Sequence, residues 1–220
     1  MRHIAAVGVA ATVLAACGAP SDESVPETPS SAAAPTGDID PTRIDRARYA
    51  LPPGYEVTGV SGRVTPVAQW GFGPEWRAEP DRCAALSDPA VDPATLRGWS
   101  ASGAGGIVYA VAATGASGID PAAVGECATW QISAGPSTGT ARLVAAPAVA
   151  GAQTVAMAAE SLTVVEGGTE TRSEATTAMA AQDGRLVYVT VVTDPGSPNP
   201  VLDGRFAAEL LAETVTALRK

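Results

Sequence analysis

Histidine and lysine are almost missing from this 220-residue chain: the only histidine is His3 and the only lysine is Lys220. His3 falls in a stretch that reads as a cleaved signal peptide, so in the mature protein Ser-His-Asp and Cys-His catalysis have no base, and His-containing zinc sites have no ligand set. Ser-Lys dyads and Schiff-base lysines are excluded within the fold because no lysine precedes Lys220. Aromatic residues make up 5% of the chain, so a core must come mainly from Val, Ala and Leu, with four Trp for the larger gaps. Positive charge is scarce as well. A net charge of −9 argues against nucleic acid as a partner and against a polybasic hold on anionic lipids. Gly103, Gly105 and Gly106 are not followed by the Gly-Lys-Ser/Thr of a phosphate loop. Gly71-Phe72-Gly73 fails as a dinucleotide fingerprint, because Pro74-Glu75-Trp76 stands where a helix should start. No cofactor and no metal are expected.

The apolar run at residues 4–14 is only about half the roughly 20 residues that a membrane-spanning helix needs. Arg2 and His3 precede it, and Leu14-Ala15-Ala16-Cys17 ends it. This is the layout of a bacterial lipoprotein signal peptide over residues 1–16, cut before Cys17. The Cys17 thiol is the nucleophile that takes a diacylglycerol, and two acyl chains give stable attachment. The expected location is the outer face of the cell membrane, with the Cys17 lipid as the membrane contact. Residues 17–39 are then Pro, Ser, Ala, Thr and acid. They cannot bury enough apolar surface to fold and read as a disordered tether. Residues 40–220 have the length of a single domain.

With Cys17 consumed by lipid, Cys83 and Cys127 are left together. Outside the cytoplasm two such thiols most often pair, and a disulfide is expected; two free buried thiols are the alternative.

Turn and cap signals divide the domain. Asp40-Pro41 opens a helix in which Ile44, Ala47 and Leu51 recur at helical spacing. Residues 55–60 alternate as a strand, and 81–86 carry Cys83 on a short helix. Residues 99–102 and 107–113 flank a Gly-rich turn. Asp120-Pro121 starts a helix that delivers Cys127, and 129–134 with 140–145 form a hairpin. Long β-prone runs at 154–166, 169–181 and 185–193 are separated by Gly167-Gly168 and Asp183-Gly184, both suited to tight hairpin turns. In the last run Leu186, Tyr188, Thr190 and Val192 alternate with Val187, Val189 and Val191, as in a central strand covered on both faces. A closing helix is expected from Pro200, capped by Asn199, with Leu202, Phe206, Leu210, Leu211, Val215 and Leu218 as its apolar stripe. The fold class is α+β: a twisted, mainly antiparallel sheet, with a C-terminal helix and shorter helices packed on one side of it.

Two groups of side chains are candidates for chemistry. Glu56, Glu75, Glu79, Asp81, Glu126, Glu160, Glu170 and Glu174 include enough carboxylates for an acid/base pair, but no spacing selects two of them. Trp70, Phe72, Trp76 and Arg77 crowd a Gly/Pro-rich stretch on which Trp99 and Trp130 could converge. Trp faces bind sugar rings and apolar chains, and Arg holds an anionic head group, so a ligand cleft is one reading. Filling gaps in an Ala-rich core is the other.

The residues 51–57 (LPPGYEV), 81–86 (DRCAAL), 126–130 (ECATW), 151–154 (GAQT) and 188–193 (YVTVVT), followed by a closing helix, carry a resemblance. Over residues 45–219 the chain resembles a family of small mycobacterial and related actinobacterial lipoproteins with a domain of unknown function. That family is distantly similar to the extracellular sensor domain of mycobacterial receptor serine/threonine kinases. The resemblance implies an antiparallel sheet, flanking helices and a cleft for a ligand. It brings no catalytic residues. The sensor domain has two disulfides, and this chain can make one. The expected function is a non-catalytic, lipid-anchored envelope protein that binds or senses a small molecule, lipid or glycan. An accessory subunit of an envelope complex is the alternative, and a carboxylate-dependent hydrolase stands behind both.

Overall fold

A computed structural model describes residues 37–60 and 64–219. The expected signal peptide, Cys17 and the tether as far as residue 36 lie outside the described residues. Ile39, read from sequence as the end of the tether, is 2% exposed and forms a β-bridge with Arg219. Order therefore starts before residue 40.

Asp40 accepts from the Thr42 amide, Pro41 takes the first position, and a 3₁₀ helix runs over Pro41–Ala50. Its buried residues, Ile44 and Ala47, are three apart, as the threefold repeat of this helix type requires. Among the described residues nine strands follow, interrupted by short helices. They are β1 (Glu56–Gly59), β2 (Arg77–Glu79), β3 (Arg97–Gly103), β4 (Gly106–Thr114), β5 (Thr129–Ala134), β6 (Ser137–Val144), β7 (Gln153–Val164), β8 (Glu170–Gln182) and β9 (Arg185–Thr193). The helices are α1 (Pro66–Gln69), α2 (Ala84–Ser87), α3 (Pro121–Glu126) and α4 (Gly204–Leu218). All nine strands join one antiparallel sheet in the order β1-β3-β4-β9-β8-β7-β6-β5-β2. Both edges are strands of four residues or fewer, a length that discourages pairing with another chain.

Turn chemistry sets the registers. Asp183 and Gly184 both take positive φ, so Gln182 pairs with Arg185 across a two-residue turn. The β5–β6 turn is Gly135-Pro136, shorter than the five-residue break read from sequence, because Gly135 takes the positive φ and Ser137 already pairs with Ala134. The β7–β8 turn is longer than Gly167-Gly168 alone. Its last ladder pair is Val164 with Glu170, and the Val165 amide donates to the Thr169 carbonyl.

Helices cover both faces of the sheet, where one was expected. On one face the 3₁₀ helix and α4 enclose Trp99, Val108, Val187, Val189, Leu211 and Val215. On the other, α1, α2 and α3 lie over Trp70, Trp130, Met157, Met179 and Tyr188. As the alternation of its residues predicts, β9 is buried on both sides. The closing helix starts at Gly204, not Pro200. The Leu202 amide donates to the Gly105 carbonyl, which holds the chain extended, and Asp203 then caps the Phe206 amide.

Gly103 sits under Tyr55. A Cβ there would lie 2.5 Å from the Tyr55 ring. Gly103→Ala is therefore expected to cost about 1–3 kcal/mol through overpacking. Urea denaturation would measure it, and a loss below a few tenths would show that the ring moves aside freely.

Candidate functional site

The disulfide is formed: Cys83 and Cys127 are bonded with their Cα atoms 5.7 Å apart. It ties the helical turn that leads into α2 to the end of α3, and both cysteines are fully buried.

The tryptophans do not make the expected cleft. Trp70, Phe72 and Trp130 are buried in one core, while Trp99 is buried in the core on the opposite face of the sheet. Each indole N–H has an internal acceptor: Thr177 Oγ1 at 3.0 Å for Trp70, Ser87 Oγ at 3.0 Å for Trp130 and the Ile44 carbonyl at 3.1 Å for Trp99. A core rich in Ala needs these volumes, and a buried indole must satisfy its N–H, so both requirements draw them inward. Trp76 remains half-buried beside Phe72, Val67 and Pro74, around an apolar notch of about 160 Å³. Arg77 is exposed on the β2 edge, outside that notch.

A polar groove lies elsewhere. The 3₁₀ helix packs on β3 and β4, and α4 packs on β8 and β9. On that same face, toward β5, β6 and β7, the sheet carries polar side chains. Side chains alternate along a strand. Trp130 and Ile132 enter the opposite core, so Gln131 between them belongs to this face. Register then aligns Gln131 with Thr140, Thr140 with Glu160, and Glu160 with Glu174. These four, with Arg172 and Pro195, line a groove of about 430 Å³. The Thr140 hydroxyl donates to Gln131 Oε1 at 3.1 Å.

The two glutamates stand directly opposite each other across β7 and β8. Like charges so placed destabilise a sheet. Arg172 is two residues from Glu174 on the same strand face, yet its guanidinium pairs with Glu170 at 2.7 Å. Among the described residues, Glu160 and Glu174 have no ion pair. Both were among the eight acids noted in the sequence, where nothing paired them. The β7–β8 register does.

Residues 40–219 match the family model described as Domain of unknown function (DUF5642). The chain belongs to this family. A DUF5642 domain thus accounts for nearly the whole described segment. The X-ray structure of an uncharacterised Mycobacterium smegmatis protein, the Rv0999 ortholog, shares its fold with a TM-score of 0.61 at 22% identity. The likeness covers 83% of this chain and 98% of that one. No curated protein matches. Among the described residues of this DUF5642 chain, no three His, Cys, Asp or Glu side chains group to hold a metal ion. No described helix is long and apolar enough to cross a membrane. Among the described residues Tyr188 is a fully buried titratable group, and its hydroxyl donates to the Val64 carbonyl at 2.6 Å. Burial pushes that phenol's pKa up, and the Asp88 charge adds to the effect. It stays neutral and fastens the segment before α1 to β9.

Proposed function

We propose that this is a lipid-anchored protein of the cell envelope, held on the outer face of the cell membrane through Cys17. Its domain binds a polar small molecule or glycan without transforming it. The observation that carries the reading is the polar groove on the sheet beyond the start of α4, with Gln131, Thr140, Glu160 and Glu174 in one row. Amides, hydroxyls and carboxylates that converge on one opening fix the orientation of a polar ligand. They suit a glycan better than an acyl chain. The sequence resemblance to receptor-kinase sensor domains supports a binding role as well. A protein-interaction role is the second reading. It is favoured by Val164 and Val165, 41% and 49% exposed at the β7–β8 turn beside the groove.

Two measurements test this. Radioactive palmitate should label the exported protein and fail to label Cys17→Ala; label that persists on the variant would refute the anchor. In heteronuclear NMR, oligomers of N-acetylglucosamine or glucosamine should shift the amides of Gln131, Thr140, Glu160 and Glu174. Shifts confined to the Trp76 notch would move the site there and remove the groove from consideration.

A further inference from the structure

We infer that the Trp76 notch takes the proline-rich segment of a second copy of this chain, with Pro26 or Pro29 seated on the indole ring. The walls of the notch are Trp76, Phe72, Pro74 and Val67. At about 160 Å³ it is smaller than the roughly 300 Å³ at which pockets for whole small ligands begin, so it suits one ring carried by a larger partner. Trp70, Trp99 and Trp130 each commit the indole N–H to an internal acceptor. Trp76 donates to no atom of the described residues, and its nitrogen is not sealed from solvent. An aromatic wall that also carries a free donor matches polyproline II. That helix has no internal hydrogen bonds, so its carbonyls stay open, and its rings pack on aromatic faces at low cost in ordering.

The chain carries such a segment itself. Residues 18–36 contain Pro20, Pro26, Pro29 and Pro35. Pro26 and Pro29 are one polyproline II turn apart, about 9 Å, so their rings would share a side. Reach decides which copy supplies them. Phe72 lies over Gly139, where a Cβ would come 2.7 Å from the ring. Gly139 pairs with Ser161, and Ser161 with Ser173. Asp38 is held near the other end of the ladder by Arg185, opposite Gln182. From Ser173 to Gln182 is about 30 Å of strand, and the spacing from β6 to β9 adds about 14 Å sideways, so the straight line is about 33 Å. The chain would also have to pass round the sheet, because Ile39 belongs to the core under α4 and Phe72 to the core on the opposite face. As polyproline II the chain extends about 28 Å from Pro29 to Asp38 and about 37 Å from Pro26. The first falls short and the second leaves almost nothing for the turn. A neighbour's segment has no such limit. The Cys17 anchor proposed above would raise its effective concentration by holding copies on one surface, but the contact does not rest on it. Arg77 makes no ion pair among the described residues, and Glu27 lies between the two prolines. Exposed Glu75 and Glu79 flank Arg77, so that attraction adds little and ring packing carries the contact.

Heteronuclear NMR of mixed copies tests this. The observed chain is nitrogen-15 labelled and carries Pro26→Ala with Pro29→Ala, so its own segment cannot compete. Adding Trp76→Phe to it identifies the Trp76 indole cross-peak by removal. Unlabelled wild-type chain should shift that cross-peak in a saturable way, and the unlabelled double variant should need at least tenfold more protein for the same shift. A synthetic peptide of residues 21–32 should act like the wild-type chain. An unmoved cross-peak, or equal shifts from both unlabelled chains, would overturn the inference. So would a Trp76 shift present in the wild-type chain alone and unchanged on dilution, because it would put the segment in its own notch. A glucosamine oligomer that shifts the cross-peak where the wild-type chain does not would give the notch to a glycan and overturn it as well. None of these outcomes touches the amides of the polar groove, so that reading stands or falls separately.

Discussion

Trp99→Ala is expected to cost about 3–5 kcal/mol, the range for removing a fully buried Trp. Trp99 is 0% exposed on β3 and is the one aromatic in the buried core beneath the 3₁₀ helix and α4. Its loss opens a cavity among alanines, such as Ala101, Ala110 and Ala112, that have no side chain long enough to refill it. It also removes the indole N–H that donates to the Ile44 carbonyl and ties the 3₁₀ helix to β3. Two layers loosen together: the 3₁₀ helix loses its fixed point on the sheet, and α4 loses part of the surface it lies on. Trp99→Phe keeps most of the volume and should cost less, with about 1 kcal/mol of it due to the missing hydrogen bond. Urea unfolding followed by circular dichroism measures both. If the two variants were equally stable, Trp99 would not be filling this core.

Loss of the disulfide should be of similar size. The bond joins residues 44 apart, and the chain-entropy model gives about 4 kcal/mol for a loop of that length. For a domain of this size that corresponds to a fall in Tm of about 8–16 °C. Cys83→Ser with Cys127→Ser should reproduce the effect of reductant, with a further penalty for placing hydroxyls in a dry core. The damage should be one-sided. Amides around α2 and α3 should lose protection from hydrogen exchange first, while those of β4 and β9 hold. A melting point that ignores reductant would show that packing of these segments suffices without the bond.

Much of the fold is legible where local chemistry decides it. Asp40-Pro41 and Asp120-Pro121 cap helices as their side chains dictate. Asp183-Gly184 fixes its hairpin because both residues take positive φ. The faces of β9 follow from simple alternation. The unreadable parts depend on contacts distant in sequence. No residue near Pro200 announces that Leu202 will be held by Gly105, so the sequence signals point to a helix start four residues early. Helices of four to six residues show no apolar stripe, so the cover on the second face left no periodic trace. The tryptophans looked alike in sequence whether they filled a core or lined a cleft. The groove is the sharpest case. A two-residue turn at Gly167-Gly168 would set Glu160 against Ala175. The observed turn is one residue longer, and it sets Glu160 against Glu174. A single residue in a turn decides whether the two charges face each other.

The bridge between Ile39 and Arg219 closes the chain on itself at one pole of the domain. Arg219 reaches from there to Gln182 Oε1 at 3.1 Å, at the end of β8. Glu174 lies eight residues further along that strand, about 27 Å away at the usual rise per residue. A force applied at Ile39 therefore enters beside the last turn of α4. From there it reaches the groove along β8 or along α4, whose first residue, Gly204, lies beside Thr176, two residues from Glu174. The polar row is thereby set a full length of strand and helix away from the point where the described residues begin.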